Sequence, residues 1–462
     1  MVNNLLTSTR LRLKKELNLV TLIAVMIGLN IGGALFMLTA IAAGLTGPSL
    51  FIAQIISAVP ILLAIIPYLV FTSSVPTTCA NYQYAKLSSP AFAVAGWWGL
   101  FVAIPIGALP LFAIATAKLL AVVLPGLPIA GTAIAVLTIF FVINLFGLKA
   151  TSYVQFGTVI LLILAILAFI IPGLPAINAA NLTPMFPGGA MGLVASAALL
   201  FTLLAGGLFG MEMGDEVKNA KTTIPRALII SLIIVAVLYI LVNIVAVGVI
   251  NWKALAEGGT LGTAAEAFLS GPMLSFFIVG GGILASITTI NLTLTAAGRY
   301  AMASAEDRFL PRFFSHVNRR FGTPHWGLTL PYVMALITLI VNPPLETLAA
   351  MLNFGLLFMI TLVLISASRL SKTHPHILAN SRFNFSPRTI AITSIAAAVI
   401  NVIFMGILAI AIPVAFFIFA GACCFGIAFY FVRKKETNMV PSFLLFDNEG
   451  KTGVVDNLSE PE

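Results

Sequence analysis

MIGLNIGGALF (residues 26–36) lies inside the first long apolar stretch of the chain and sets Gly28, Asn30, Gly32 and Gly33 at its centre. Glycine in a helix interior costs roughly 1 kcal/mol relative to alanine. At mid-membrane such a cluster has two readings. It lets helices pack closely, and Gly28 and Gly32 have the spacing for that. Alternatively it marks a helix break whose backbone lines a cavity. A second cluster, LLAGGLFG (203–210), carries Gly206, Gly207 and Gly210 in the sixth apolar stretch, five spans further on. Glycine-interrupted spans at matching positions of two halves point to a transport site between repeats. Half-helix N-termini at such breaks offer N–H groups and a positive dipole end to an anion. Freed carbonyls offer themselves to a cation or an ammonium group, so a zwitterion suits the geometry.

The rest of the chain supports a membrane setting. Of its 462 residues 60% are hydrophobic and 8% charged, and mean hydropathy is +1.09. Soluble domains carry about 25% charged residues. A helix needs about 20 apolar residues to cross the hydrocarbon core. Runs of that kind lie near 18–44, 49–72, 92–122, 128–147, 153–172, 191–213, 225–250, 272–298, 327–341, 346–368, 389–407 and 409–432. The expected fold is an all-α membrane protein of about twelve transmembrane helices, because backbone polar groups cannot stay unpaired in lipid. The alternating pattern of an outer-membrane barrel is absent.

With the N-terminus in the cytoplasm, 22 of the 24 Lys and Arg fall on the inner side, and only Lys118 and Lys253 fall outside. That distribution predicts an even number of spans with both termini cytoplasmic. It also accounts for the net charge of +9 as membrane topology, so nucleic acid is excluded as a partner. The cysteines, Cys79, Cys423 and Cys424, make neither a disulfide framework nor a zinc pattern. No removable signal peptide is expected. The tail from 433 to 462 reads as a polar, disordered cytoplasmic segment, and residues 1–17 as a cytoplasmic N-terminal segment.

Three stretches carry a family resemblance: GLNIGGALF (28–36), GDEVKNAKTTIPRA (214–227) and GRYAMASAEDRFLPRFFSHVNRRFGTPHWGL (298–328). They resemble the first-helix glycine motif, the segment after the sixth helix, and the loop between helices eight and nine of the amino acid–polyamine–organocation superfamily of permeases. The resemblance covers about residues 15–435. It implies a fold of the leucine-transporter type, with ten core helices in two inverted repeats (about 18–172 and 191–368), breaks in helices one and six, and two peripheral helices (389–432). It also implies that Gly32, Gly33 and Ala34 meet a substrate carboxylate, and that carbonyls near Gly28 and Leu204–Gly207 meet the amino group. Ala34 stands where the family has glycine. Gly206 matches the family glycine, but Gly207 stands where an aromatic cap is usual and Leu208 where an acid is frequent. Another side chain must then supply the lid, and Trp97, Trp98 and Phe201 are candidates. The fifth-helix lysine of some members is absent from VQFGTVILLILAILAFI, which starts at Val154. In the eighth span, Ala285, Thr288 and Thr289 resemble the A-x-x-[ST]-[ST] cation site of sodium-coupled members. Their ordinary reading is hydroxyls bonded to their own helix.

Asn30 can orient the broken segment, contact substrate or satisfy freed backbone groups. Glu212 is the one carboxylate placed inside a span. It reads either as a solvated residue at the cytoplasmic mouth or as a proton acceptor. Asp215 or Glu216 with Arg299 reads either as a solvated loop or as an inner gate. Asn144, Asn243 and Asn291 read as helix-to-helix hydrogen-bonding residues. The sequence therefore predicts a secondary active transporter of amino acids, neutral ones favoured, in the cell membrane. No cofactor is expected beyond a coupling ion, Na+ or H+, with exchange as the alternative, and the partners are an amino acid and the bilayer. No filter repeat suggests a channel, and no His/Asp/Glu cluster within the spans suggests an enzyme. A non-transporting sensor on the same fold and a carrier of another organic amine are the other readings.

Overall fold

The first apolar stretch divides at its glycine cluster in the computed structural model, which describes residues 17–147, 152–257, 259–318 and 320–433, without the side chains of 152–155 and 215. Helix α1 (Leu19–Asn30) starts at Asn18, whose side chain accepts the Thr21 N–H while the Thr21 hydroxyl accepts the Asn18 N–H. This reciprocal cap satisfies two donors that a helix start leaves unpaired. The helix ends at Ile31 (φ −88°, ψ 87°), Gly32 is extended, and α2 (Gly33–Thr46) begins. A tight turn through Gly47–Ser49 leads into α3 (Leu50–Ser74).

The remaining long helices follow the apolar runs. After the short polar helix α4 (Ala80–Lys86) they are α5 (Pro90–Ala103), α6 (Leu109–Val123), α7 (Ile129–Leu145), α8 (Ser152–Gly173), α9 (Gly189–Ala205) and α10 (Ala220–Val249). Then come α11 (Leu284–Glu306), α12 (His325–Val341), α13 (Leu345–Ser368), α14 (Pro387–Ala411) and α15 (Pro413–Arg433). Among the described residues nine helical stretches are long and apolar enough to cross a membrane, the 56-residue Leu19–Ser74 run counting as one. The apolar helices α7 and α12 have 17 residues each, about 26 Å at 1.5 Å per residue. The described residues contain no strand, only two isolated bridges, Leu17 with Val217 and Thr78 with Met213. The basic positions 10–15, Lys149, Arg319 and the tail after 433 lie outside the described residues.

Helix α13 is nearly all buried and packs on α5 and α14. Helices α14 and α15 turn Ile410 and Phe417 outward, 69% and 71% exposed, as a lipid-facing layer requires. The third span is not uniform: α5 and α6 are joined by a π-helical turn, Ile104–Ala108. Pro105 cannot donate to the helical ladder, and such turns are frequent at functional sites.

The sixth span departs from expectation. It does not open into two α-helical halves. After α9 it tightens into a 3₁₀ helix from Gly206 to Glu212, with a further 3₁₀ turn at Gly214–Glu216. Seven residues is long for this form. The cause is close approach to α1. A Cβ at Gly206 would lie 2.6 Å from the Leu29 carbonyl oxygen, and one at Gly207 2.6 Å from Asn30 Nδ2. Glycine here serves contact between the two spans, with the chain narrowed rather than interrupted.

Candidate functional site

A cavity of about 60 Å³ opens at the Ile31–Gly32 break. One water needs about 10–15 Å³ by the same measure, so there is room for roughly four waters or a small solute. Its walls are mostly apolar: Ile104 and Ala108 from the π turn, Phe112, Phe209, Leu292 and Leu352. Its polar edges are Asn30 and the hydroxyl-bearing Thr202, Thr289 and Thr293. Of the residues singled out in the sequence, Asn30, Gly32, Ala34, Gly206 and Thr289 reach it. Leu204 and Gly207 line a smaller space of about 10 Å³ across Asn30. Gly28, Gly33, Ala285 and Thr288 line neither.

Asn30 joins the two glycine clusters. Its Oδ1 accepts the Gly207 N–H at 2.6 Å, and its carbonyl accepts the Tyr239 hydroxyl at 2.5 Å. Of the three readings of Asn30, satisfying freed backbone is observed. The Gly206 N–H donates to Thr202 O, so with the Gly207 N–H turned to Asn30 the Leu203 carbonyl loses the partner an α-helix would provide. Glycine at 207 now has a physical cause. The Asn30 amide fills the space a Cβ would take, and an aromatic cap cannot stand there while Asn30 does.

The eighth span presses hydroxyls against the break. A Cβ on Gly32 would lie 2.0 Å from Thr289 Oγ1, and one on Gly33 2.3 Å from Ser286 Oγ. The hydroxyls of Thr288 and Thr289 both donate to the Ala285 carbonyl, at 2.9 and 2.8 Å. That is the local bonding usual for threonine within helices.

Trp97, Trp98 and Phe201 are not the lid. Trp97 stacks on Phe101 and donates its indole N–H to the Tyr300 carbonyl. Trp98 lies against Phe425 of α15, and Phe201 meets Phe404 of α14 edge-on. The aromatics at the cavity are Phe112 and Phe209. Phe209, two residues past Gly207, was legible in the sequence as the next aromatic of the same segment. Phe112 was not singled out, although it follows Ile104 and Ala108 at four-residue spacing along the third span. Asn144 and Asn291 bond each other, and Asn243 donates to Gln54, as helix-bridging amides.

The segment after the sixth span clamps the start of the first. Leu17 donates to the Glu216 carbonyl and accepts from the Lys218 N–H. Arg299 and Glu216 form an ion pair at 3.0 Å, an electrostatic contact rather than an aligned hydrogen bond. The Asp215 side chain lies outside the described residues. A second pair was not foreseen: Lys86 Nζ meets Asp307 Oδ2 at 2.6 Å, and the Tyr82 hydroxyl donates to the same oxygen at 2.7 Å. Glu212 is no solvated mouth residue. It is 7% exposed, and its Oε1 accepts from Asn81 Nδ2, the Asn81 backbone N–H and the Tyr300 hydroxyl. Loop 75–79 and α4 cover it, which hydropathy alone does not reveal. No cluster of three or more His, Cys, Asp or Glu suited to a metal ion occurs among the described residues.

A multi-pass helical membrane protein with a small cavity at a broken first span is the architecture of a permease. Residues 17–444 match the family model described as amino acid permease, and the chain belongs to that family, within the amino acid–polyamine–organocation superfamily. It is 30% identical over 385 residues to the methylthioribose transporter of Bacillus subtilis (strain 168), covering 78% of this chain and 82% of the relative. It is 29% identical to the branched-chain amino acid permease BcaP of the same organism, covering 80% and 83%. It is 26% identical to the serine/threonine exchanger SteT, also from that organism, covering 72% and 78%. These similarities support amino acid transport in general.

Proposed function

We propose that this protein is a secondary active transporter of neutral amino acids, working by alternating access around the cavity at Gly32. The observation that carries the reading is the chemistry of that cavity. Its walls are apolar, its polar edges are amide and hydroxyl groups, and no charged side chain is among its lining residues. A cationic side chain would lose its hydration there without a counter-charge. A short apolar side chain would lie against Phe112, Phe209 and Leu352. The substrate carboxylate meets the N–H groups at the start of α2, where a helix N-terminus favours negative charge. The amino group meets carbonyls at the end of α1 and around Leu203–Gly207. The similarity to a branched-chain amino acid permease agrees with this preference.

Twelve spans arranged as two inverted repeats (18–172 and 191–368) and two peripheral helices complete the reading, with both termini in the cytoplasm and the protein in the cell membrane. The coupling partner is Na+, H+ or a second amino acid in exchange. A sodium ion would take oxygens from Thr289, Ala285 and the end of α1, since hard cations prefer oxygen ligands. The test is competition against labelled leucine uptake into proteoliposomes by a graded series from glycine to phenylalanine, with lysine and glutamate included. Saturable uptake inhibited by neutral amino acids, and not by lysine, is expected. Inhibition led by lysine or glutamate would overturn the neutral preference. The same vesicles with sodium, proton or amino acid gradients separate the coupling modes, and loss of a sodium effect in Thr289→Val would place the ion.

A further inference from the structure

Glu212 ends the 3₁₀ segment of the sixth span on the side of the inner ion pairs. Its surroundings are unusual for an acid. One oxygen, Oε1, takes three donors, from Asn81 twice and from Tyr300. The other, Oε2, is buried and has no hydrogen-bond partner. Titratable groups approach it from α3, from the loop before α4 and from α11. From α3 comes Tyr68, whose hydroxyl donates to Asn81 Oδ1 at 2.6 Å. From the loop before α4 comes Cys79, whose N–H donates to the Glu212 carbonyl. From α11 come Tyr300, Arg299, which is paired with Glu216, and Glu306 and Asp307 at its end. Lys86 of α4 is paired with Asp307. The two nearby cations are thus each engaged with another carboxylate.

A buried carboxylate is held ionised only by a nearby cation or by enough donors. Here donors alone serve: Asn81 twice and Tyr300 on Oε1, with the Ala80 backbone N–H also directed at the carboxylate. The same three bonds tie the sixth span to α4 and α11, and the Tyr68–Asn81 bond extends the chain to α3. Adding a proton to the carboxylate removes the charge that makes those bonds strong. It would therefore loosen the contact between the paired first and sixth spans and the helices that cover them.

From this geometry we infer that Glu212 is a proton-binding site that latches the inner face. Ionised, it holds α4 and α11 on the sixth span. Protonated, it releases them, so a proton bound at Glu212 favours inward opening. The assignment rests on the transport reading only for its role in coupling. The latch itself is testable without substrate.

Cys79 reports on it. The thiol is buried, and burial, reinforced by the Glu212 carboxylate, pushes it up to where it reacts poorly with alkylating reagents. In a Cys423→Ser, Cys424→Ser background it is the single thiol of the chain. The experiment is N-ethylmaleimide labelling of the full-length protein in liposomes, each rate divided by that of the denatured chain at the same pH. The expected result is a relative rate that rises about tenfold as the pH is lowered and Glu212 takes up a proton. Glu212→Gln should abolish the pH dependence. Tyr300→Phe, which removes one donor from the ionised form, should move the midpoint to higher pH, and it serves as the test if Glu212→Gln fails to fold. A flat wild-type profile would overturn the inference, as would a pH dependence unchanged in both variants. In the transport arm, Glu212→Gln should lose accumulation under an inward proton gradient and keep amino acid exchange. Absence of any wild-type uptake would overturn the transport reading and leave the labelling result standing. Flat labelling with intact uptake would overturn the latch alone.

Discussion

Two residue pairs define the centre of the molecule. Gly32 faces the Thr289 hydroxyl with no space for a methyl group, since a Cβ would lie 2.0 Å from Oγ1. Gly32→Ala must push the eighth span away from the break, and the expected loss of uptake is at least about tenfold, equivalent to about 1.4 kcal/mol. The second pair is Asn30 with Gly207. Gly207→Phe inserts a ring where the Asn30 amide sits, so uptake should be lost. Asn30→Gly in the same chain vacates that space, and the double variant should recover part of the activity. Equal impairment of the single and double variants would show that Asn30 is not what excludes an aromatic there. These pairs were half legible in sequence. The glycines and Asn30 stood out because each is costly at mid-membrane. Thr289 stood out only through its resemblance to a cation site, and Ser286, which faces Gly33, did not stand out, because threonine and serine within a membrane helix have an ordinary reading as self-bonded hydroxyls.

Among the elements, the first and sixth spans behave as one body. Asn30 joins them at the middle, and the Leu17 bridge to Glu216 and Lys218 joins them at the inner end. The elements that cover them at that end are α4 and the end of α11, held together by Lys86 and Asp307. The Lys86 side chain is fully buried and that of Asp307 is 18% exposed. Asp307→Asn removes the carboxylate that offsets a buried ammonium, a change that costs roughly 3 kcal/mol or more. A clearly lowered unfolding temperature is expected, with recovery in Lys86→Met, Asp307→Asn. If the single variant melts like the wild type, the pair is not structural in this state. The long helices followed from apolar length, and the break after Asn30 is one of the two readings its glycine cluster allowed. The 3₁₀ form of the sixth span did not, because glycine clusters signal close approach and a helix break equally well. The burial of Glu212 was hidden for a related reason: α4 is too short and too polar to register as a covering element.

At the scale of the whole molecule, composition and charge decided the class. The lipid-facing layer of α14 and α15 follows from their apolar, exposed side chains, and substitutions such as Phe417→Leu should leave transport within about twofold. The distribution of Lys and Arg predicts that a cysteine placed near Lys253 is labelled from outside intact cells by an impermeant thiol reagent, and one near Arg388 is not. The reverse pattern would invert the topology and exchange the inner and outer roles assigned above. Substrate identity was not readable at this scale, because it depends on which side chains a π turn and a 3₁₀ segment bring to the cavity.

The most direct measurement is uptake of labelled leucine and alanine into proteoliposomes holding either the wild-type chain or Gly32→Val, both checked to be monodisperse. Saturable wild-type uptake with none above empty vesicles for Gly32→Val is the expected result. Uptake by Gly32→Val equal to wild type, or none by the wild type for any amino acid under sodium, proton or exchange conditions, would contradict a transport site at the broken first span.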